Sequence, residues 1–442
     1  MYSRFDGGRL IGKALAQAGT RYLFCLHGGH IDPILYGCAA EGIRLVDVRH
    51  EAAAVHMAEG WALATGQTGV CAVTAGPGVA NAVTGLANAF QTGSPLLCLA
   101  GHCPAPQSDS WTLQDLDQLP IVRPVTKWAR SCGVPERCGE YAVQGLLQAR
   151  HGRPGPAYLE IPMDVLARKI DGNTGLVPLY RPPAPPGPGP QEVSEAAALL
   201  AAAERPIVLA GSGSFWSGAG MALAELARQA GLPVFTANAG RGVLPDGHPW
   251  AAGHAGPAGG AFGEILKADL VLCLGARLGF PFLHGKFLAG KKLIRVDLDA
   301  AETSLNRPGD LNVACDARLF CEALSSELRG PPPASRAEWL GSIQAARERG
   351  REMLYAQASK SGGAIHPAAL VEAIGKASTP STTLVADGGD ILAWGLFGLP
   401  AHGPGQLLST SAYFGCLGVG IPYAIAARLA RPSSPVFLLE GD

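Results

Sequence analysis

Short apolar runs, each ending in glycines or polar residues and separated by longer helical patterns, recur along the whole chain and narrow the folds open to it. Tyr22 to Leu26, Arg44 to Val48, Gly69 to Val73, Leu96 to Ala100 and Ala157 to Ile161 read as strands, and Gly8 to Ala18 as one of the intervening helices. Ile207 to Ala210, Val234 to Thr236, Leu270 to Leu274 and Leu293 to Val296 repeat the pattern, as do Thr383 to Ala386 and Val436 to Leu439. Strands without polar alternation are buried on both faces, so the pattern predicts α/β architecture built from doubly wound parallel sheets. Two proline-rich stretches, Pro178 to Pro190 and Gly330 to Ser335, can be neither helix nor central strand and read as linkers. A chain of 442 residues exceeds one hydrophobic core, and the expected domains are 1–175, 191–328 and 336–442. The last is expected to be incomplete, since only Glu440-Gly441-Asp442 follows its final strand.

Composition excludes some classes of function. The sequence is 48% hydrophobic and 16% charged, against about 25% charged in ordinary domains, so surface is expected to be hidden between domains or subunits. A formal net charge of -1 gives no reason to expect nucleic acid or an anionic membrane as partner. The N-terminus lacks the apolar core of a secretory signal, and no run of ~18 apolar residues could span a bilayer, so the expected location is cytoplasmic. Eleven cysteines without a Cys-x-x-Cys pair read as buried free thiols.

Ligands of open parallel sheets gather at the carboxyl ends of the strands. Three loops of the first segment are candidates: His27-Gly28-Gly29-His30, Arg49-His50-Glu51, and Thr74-Ala75-Gly76-Pro77-Gly78 with Asn81 one turn on. They form one rim if their strands are neighbours. Glu51 stands where the run Ile43 to Val48 gives way to the helical pattern beginning Ala52-Ala53-Ala54. By itself, a carboxylate at a helix start complements the partial positive charge there, an effect of about 0.3–1 kcal/mol. Tight turns account for any one of the glycines as well as ligand approach does. His50-Glu51 lacks the histidine spacing of a zinc protease, and neither a Gly-x-Ser-x-Gly elbow nor a phosphate-binding P-loop occurs.

In the middle segment Gly211-Ser212-Gly213-Ser214 lacks the third glycine of a dinucleotide fingerprint and reads as a structural turn, with Asp297 and Asp299 as solvated loop acids. In the third, Asp387-Gly388-Gly389-Asp390 follows a strand and Phe414-Gly415-Cys416-Leu417-Gly418-Val419-Gly420 opens an apolar helix. Gly441-Asp442 follows another strand, where a carboxylate beside a backbone amide suits a Mg²⁺ that holds a diphosphate.

Taken together these residues resemble the thiamine-diphosphate enzymes of the acetolactate synthase superfamily, in that family's order of pyrimidine-binding, middle and diphosphate-binding domains. Arg49-His50-Glu51-Ala52-Ala53-Ala54 is similar to the motif of the cofactor-activating glutamate, and Thr74 to Asn81 to the loop after it. Gly275-Ala276-Arg277 and Val296-Asp297-Leu298-Asp299 resemble the middle domain, and Gly441-Asp442 the start of the magnesium motif. Leu26-His27-Gly28-Gly29-His30-Ile31-Asp32 resembles a loop of benzaldehyde lyase whose last histidine faces the substrate. Thr112-Leu113-Gln114 falls where that enzyme has an active-site glutamine, and Asp115-Leu116-Asp117-Gln118 is similar to the 2-hydroxyacyl-CoA lyases.

The resemblance implies thiamine diphosphate and Mg²⁺ as cofactors, with Glu51, His30 and Gln114 as catalytic residues. It implies cofactor contacts from Glu51, Thr74, Gly76, Gly78, Asn81, Gly388, Gly389, Gly415, Leu417, Gly441 and Asp442, and Asp442 as metal ligand. The implied reaction is cleavage of a 2-hydroxy ketone or 2-hydroxyacyl thioester through an acyl carbanion, or its reversal as carboligation, on a small-molecule substrate (2-hydroxy ketone, 2-oxo acid or acyl-CoA). Trp111 and Met163 are expected in the pocket wall without naming an acyl group. The active site is implied to lie between subunits of a homodimer or homotetramer. Acetolactate formation from pyruvate is the alternative, since Asp297 to Asp316 is also similar to acetolactate synthases. Those enzymes carry FAD, which Leu278-Gly279-Phe280-Pro281 disfavours here. A different class of reading is an inactive fragment or degenerate binding partner. The family's magnesium motif continues past the residue matching Asp442, which predicts poor cofactor binding by a chain that is C-terminally truncated there.

Overall fold

The computed structural model describes residues 5–171, 177–256, 260–358 and 365–441. They form two compact units, Met1–Pro183 with Ile421–Ala430, and Ala184–Gly420 with Arg431–Asp442.

The first unit holds helices α1 (Gly7–Gln17), α2 (Asp32–Ala40), α3 (Glu51–Thr65), α4 (Pro77–Thr92) and α5 (Cys138–Arg150). Its strands are β1 (Tyr22–Cys25), β2 (Arg44–Asp47), β3 (Gly69–Val73), β4 (Leu96–His102), β5 (Trp128–Ser131) and β6 (Pro156–Pro162). They form one parallel sheet in the order β2-β1-β3-β4-β6-β5. Alternate residues feed two cores, as the strand period of two requires. Leu23, Val70, Ala72, Leu97, Leu99 and Leu159 pack with Leu10, Ile34 and Leu146 of α1, α2 and α5. Phe24, Cys71, Val73, Cys98 and Tyr158 pack with Val55, Ala58, Val79 and Leu86 of α3 and α4. Burial on both faces is why β1, β3, β4 and β6 carry no polar alternation.

Helix Gly420–Ala430 supplies the segment Ile421–Ala430 to this unit and lays Ala426 in the second of those cores. The space is made by Gly60 of α3, where a Cβ would come within 2.9 Å of the Tyr423 Cα. Tyr423 is fully buried there, and its hydroxyl accepts a hydrogen bond from Asn88 Nδ2 at 3.1 Å.

The second unit contains a six-stranded parallel sheet built from β7 (Pro206–Ala210), β8 (Val234–Thr236), β9 (Ala251–His254), β10 (Leu270–Leu274), β11 (Lys292–Asp297) and β12 (Leu311–Ala314), in the order β12-β11-β10-β7-β8-β9. It also contains a three-stranded sheet of β13 (Thr383–Ala386), β14 (Leu407–Ser409) and β15 (Val436–Leu439), with β13 central. Three parallel sheets covered by helices are the architecture that the alternation predicts. Arg241 and Asp246 form an ion pair at 2.7 Å in this unit, closed by Asp246 accepting the Ala401 N–H at 2.8 Å.

Asp299 caps the helix Ala300–Ser304, and Asp297 accepts the Asp299 N–H at 3.0 Å. These two acids were expected as solvated loop residues. Burial instead pushes the Asp297 carboxyl up to about 6, with the Asp299 amide opposing that rise and Glu302 adding to it. All eleven cysteines are free and buried. No helix among the described residues is long and apolar enough to cross a membrane.

Candidate active site

Strands β2, β1 and β3 are neighbours, so the loops after them share one rim. The chain leaves β1 toward β2 on one side and returns to β3 on the other. This reversal opens a crevice at the carboxyl ends, the usual place for a ligand in such a sheet. The Gly28 backbone crosses close to Thr74 there, and a Cβ on Gly28 would sit 2.4 Å from the threonine side chain.

Glu51 is the first residue of α3, after His50, whose Nδ1 accepts the Ala52 N–H at 3.2 Å. Only 7% of Glu51 is exposed. Asn81, on the second turn of α4, donates from Nδ2 to Glu51 Oε2 at 3.0 Å. The other oxygen, Oε1, has no hydrogen-bond partner among the described residues and faces Gly78, where even a Cβ would reach to 3.5 Å. A secluded carboxyl with one oxygen held and the other turned toward a glycine is arranged to meet a polar group from outside the chain.

Gln114 joins the rim from the loop between β4 and β5. Its Oε1 accepts from the Thr74 hydroxyl at 3.1 Å, and its side chain lies beside His30. His30 lies in the 3₁₀ turn Gly29–Ile31 and is buried. Burial pushes its pKa down, the Gln114 hydrogen bond partly opposes that, and His102 lowers it further, so the imidazole is neutral near pH 7. Gly76, at φ 58°, passes so close to Gln114 that a Cβ would stand 3.0 Å from the glutamine Cβ. Gln114 itself has φ 60°, as do Asp109 at 61° and Trp111 at 58°, and Trp111 is 99% exposed. Met163 is partly exposed after β6.

Glu51, His30, Gln114, Thr74, Gly76, Gly78 and Asn81 thus form one constellation within the first unit. Residues not singled out for the site support it. Gln118 Oε1 accepts the Gly76 N–H at 2.7 Å, and Gln118 is tied in turn to Tyr158 and Glu160 of β6. A glutamate inside the apolar run Ala157 to Ile161, two residues from a tyrosine and therefore on the same face, was the available signal.

Gly388, Gly389, Gly415, Leu417 and Gly441 fall within the second unit, at the carboxyl ends of β13 and β15. Asp387 organises them, accepting the Gly420 N–H at 2.8 Å and the Gly418 N–H at 3.0 Å. This double anchor lays Leu417 beside the glycine pair: a Cβ on Gly388 would come within 3.0 Å of Leu417 Cδ2, and one on Gly389 within 3.2 Å. Leu417 is nonetheless 65% exposed, an apolar side chain held out on a fixed loop. The Glu440 carboxyl is pushed up by burial and then by Asp387. Asp442 lies outside the described residues, and among those described no group of three His, Cys, Asp or Glu could hold a metal ion.

In the middle sheet the corresponding crevice lies between β7 and β10, and its glycines are already used. A Cβ on Gly211 would sit 2.3 Å from the Gly275 carbonyl oxygen, and one on Gly213 would sit 2.7 Å from the Gly275 Cα. Tyr413 packs against Gly279 and donates its hydroxyl to the Arg277 carbonyl at 3.1 Å.

Comparison with known proteins agrees with this geometry. Residues 5–121 match the N-terminal TPP binding domain of thiamine pyrophosphate enzymes, 193–324 their central domain, and 387–442 their C-terminal TPP binding domain. The chain is 35% identical to the acetolactate synthase large subunit IlvG of Mycobacterium tuberculosis, over 98% of its own length and 78% of that protein. It is 31% identical to 2-hydroxyacyl-CoA lyase 2 of Bos taurus (99% and 74%) and 30% identical to the human protein of that name (99% and 74%). The chain belongs to the thiamine pyrophosphate enzyme family.

Proposed function

We propose that the chain acts as a thiamine-diphosphate-dependent carbon–carbon lyase or carboligase on 2-hydroxy ketones or 2-hydroxyacyl thioesters. The observation that carries this reading is the buried His30 beside Gln114, whose carboxamide accepts from Thr74, on the rim that holds Glu51. The residues present fit the cofactor. Glu51 keeps one oxygen for an incoming ring nitrogen, Gly78 leaves the space beside it, and Leu417 offers an apolar prop over Gly388 and Gly389. When bound, thiamine diphosphate supplies a carbon nucleophile and an electron sink for carbon–carbon bond cleavage.

The chain's own residues then have separable tasks. Glu51 Oε1 would meet the cofactor's aminopyrimidine ring, and Asn81, by holding Oε2, fixes which oxygen is available. His30, uncharged at working pH, takes a proton from a substrate hydroxyl and returns it. The Gln114 carboxamide, held by the Thr74 hydroxyl, orients the substrate oxygens. We assign the diphosphate contacts to Gly388, Gly389, Gly415 and Gly441, and Mg²⁺ to Asp442. A homodimer or homotetramer, with domains 1–175, 191–328 and 336–442, completes the reading. The mutual packing of Gly211, Gly213 and Gly275 supports leaving FAD out.

The test is an assay with benzoin, a 2-hydroxyacyl-CoA and pyruvate, each with and without thiamine diphosphate and Mg²⁺. Cleavage of benzoin or the thioester that needs the cofactor and is lost in His30→Ala supports the reading. Acetolactate from pyruvate as the dominant product would favour the second reading, for which the observation is the 35% identity to proteins named acetolactate synthase.

A further inference from the structure

Gln118 is buried, and each end of its carboxamide is committed. Oε1 accepts the Gly76 N–H at 2.7 Å. Nε2 faces Glu160 Oε2 at 3.0 Å, the Gly101 carbonyl at 3.1 Å and the Tyr158 hydroxyl at 3.2 Å. Tyr158 also donates to Glu160 Oε2 at 3.0 Å, and burial followed by the Glu160 charge pushes its pKa well up, so it stays a donor. An ionised carboxylate only accepts, so Glu160 forces the NH₂ end of Gln118 inward and leaves the oxygen to face Gly76. The peptide so held is a demanding one: Gly76 has φ 58° and is the N-cap of α4, whose Asn81 grips Glu51. A continuous line of contacts therefore runs from Glu160 through Gln118 and Gly76 to α4, Asn81 and Glu51.

We propose that Gln118, oriented by Glu160 and Tyr158, is a positioning residue that sets the Thr74–Gly78 loop, and through it the Glu51 carboxyl, for cofactor activation. This rests on the reading of Glu51 as the cofactor-facing acid. Gln118 touches neither cofactor nor substrate and acts through the Gly76 peptide.

The test exchanges the two side chains. Gln118→Glu sets two carboxylates face to face, whereas Gln118→Glu combined with Glu160→Gln restores one donor and one acceptor in reversed order. Amide hydrogen exchange of the 442-residue chain without cofactor is read at 74–78, with 85–92 of α4 as internal reference. Gln118→Glu keeps an acceptor for the Gly76 N–H but turns the donations to Glu160 and Gly101 into repulsions that displace the side chain, and is expected to accelerate exchange at 74–78 about tenfold, with the double variant recovering most of it. With thiamine diphosphate and Mg²⁺ added, deuterium uptake at the cofactor's reactive carbon should slow and recover in the same order. If Gln118→Glu does not fold, Gln118→Asn, which withdraws the carboxamide by one methylene, should give the same acceleration. The proposal is overturned if exchange at 74–78 does not change, or if the double variant is no better than the single one. Glu51→Gln separates the two levels: unchanged deuterium uptake there would sink the catalytic reading, while the amide result still decides the role of Gln118 in holding the loop.

Discussion

Glu51 and Glu59 lie about two turns apart on α3, and each accepts a hydrogen bond from an asparagine of α4, at 3.0 Å from Asn81 and 2.7 Å from Asn88. The two rungs have the same chemistry but not the same completeness. Glu59 is fully buried, with Oε1 accepting from Ser94 at 3.1 Å and Oε2 from Asn88, while the His56 ring stands 3.9 Å away. Asn88 in turn reaches Tyr423. Glu51 has one oxygen held and the other turned toward a glycine. Seclusion with both oxygens engaged makes a structural carboxylate, and seclusion with one oxygen left over makes a candidate functional one.

The largest expected effect is on catalysis at the incomplete rung. Glu51→Gln should lower kcat by about 10²–10⁴-fold, the range for losing a positioned proton-transfer group, with Tm nearly unchanged. A variant that retained full turnover would dissolve the distinction. At the complete rung the effects reverse: Glu59→Ala strips Asn88 and Ser94 of their acceptor and should cost about 2–4 kcal/mol in urea unfolding, with turnover per folded molecule preserved. A third carboxylate tests the donor count from another side. Asp297 is half-buried with a single backbone donor, and its carboxyl is raised to about 6. The unfolded chain gives up this proton near pH 4 and the folded chain only near 6, so stability should decline by up to about 3 kcal/mol as pH rises through that window. Asp297→Asn should flatten the decline and raise Tm at pH 7. The smallest effect belongs to Tyr423→Phe, which takes one partner from Asn88 and should cost about 0.5–1.5 kcal/mol, leaving kcat intact.

The central strands were legible because burial on both faces writes an unbroken apolar run. Those that went unread, β5, β9, β12 and β14, are all edge strands. An edge strand has one neighbour and can alternate with solvent, as β12 does in Leu311–Ala314, whose Asn312 is exposed between buried Leu311 and Val313. The rim glycines and Glu51 were legible from their places after strands. The supports were not. Gln118 looks like one more polar loop residue, and its burial depends on Glu160, which lies 42 positions away. Asp387 was visible as an acid before two glycines, but its grip on Gly418 and Gly420 exists only once a loop more than thirty residues on has folded back.

The hydrogen bond from Asn88 to Tyr423 spans 335 positions of sequence. Ribosomal synthesis at about 5–20 residues per second means that α3 and α4 wait roughly 17–67 seconds for the helix that completes their core. During that interval Gly60 faces an empty groove, and the donors around Glu59 have only water or a chaperone to satisfy them. Closing so long a loop slows folding more than it costs stability. Of the two units, the one synthesised earlier therefore completes its core only after helix Gly420–Ala430 has been made, and until then it stands open to aggregation and proteolysis.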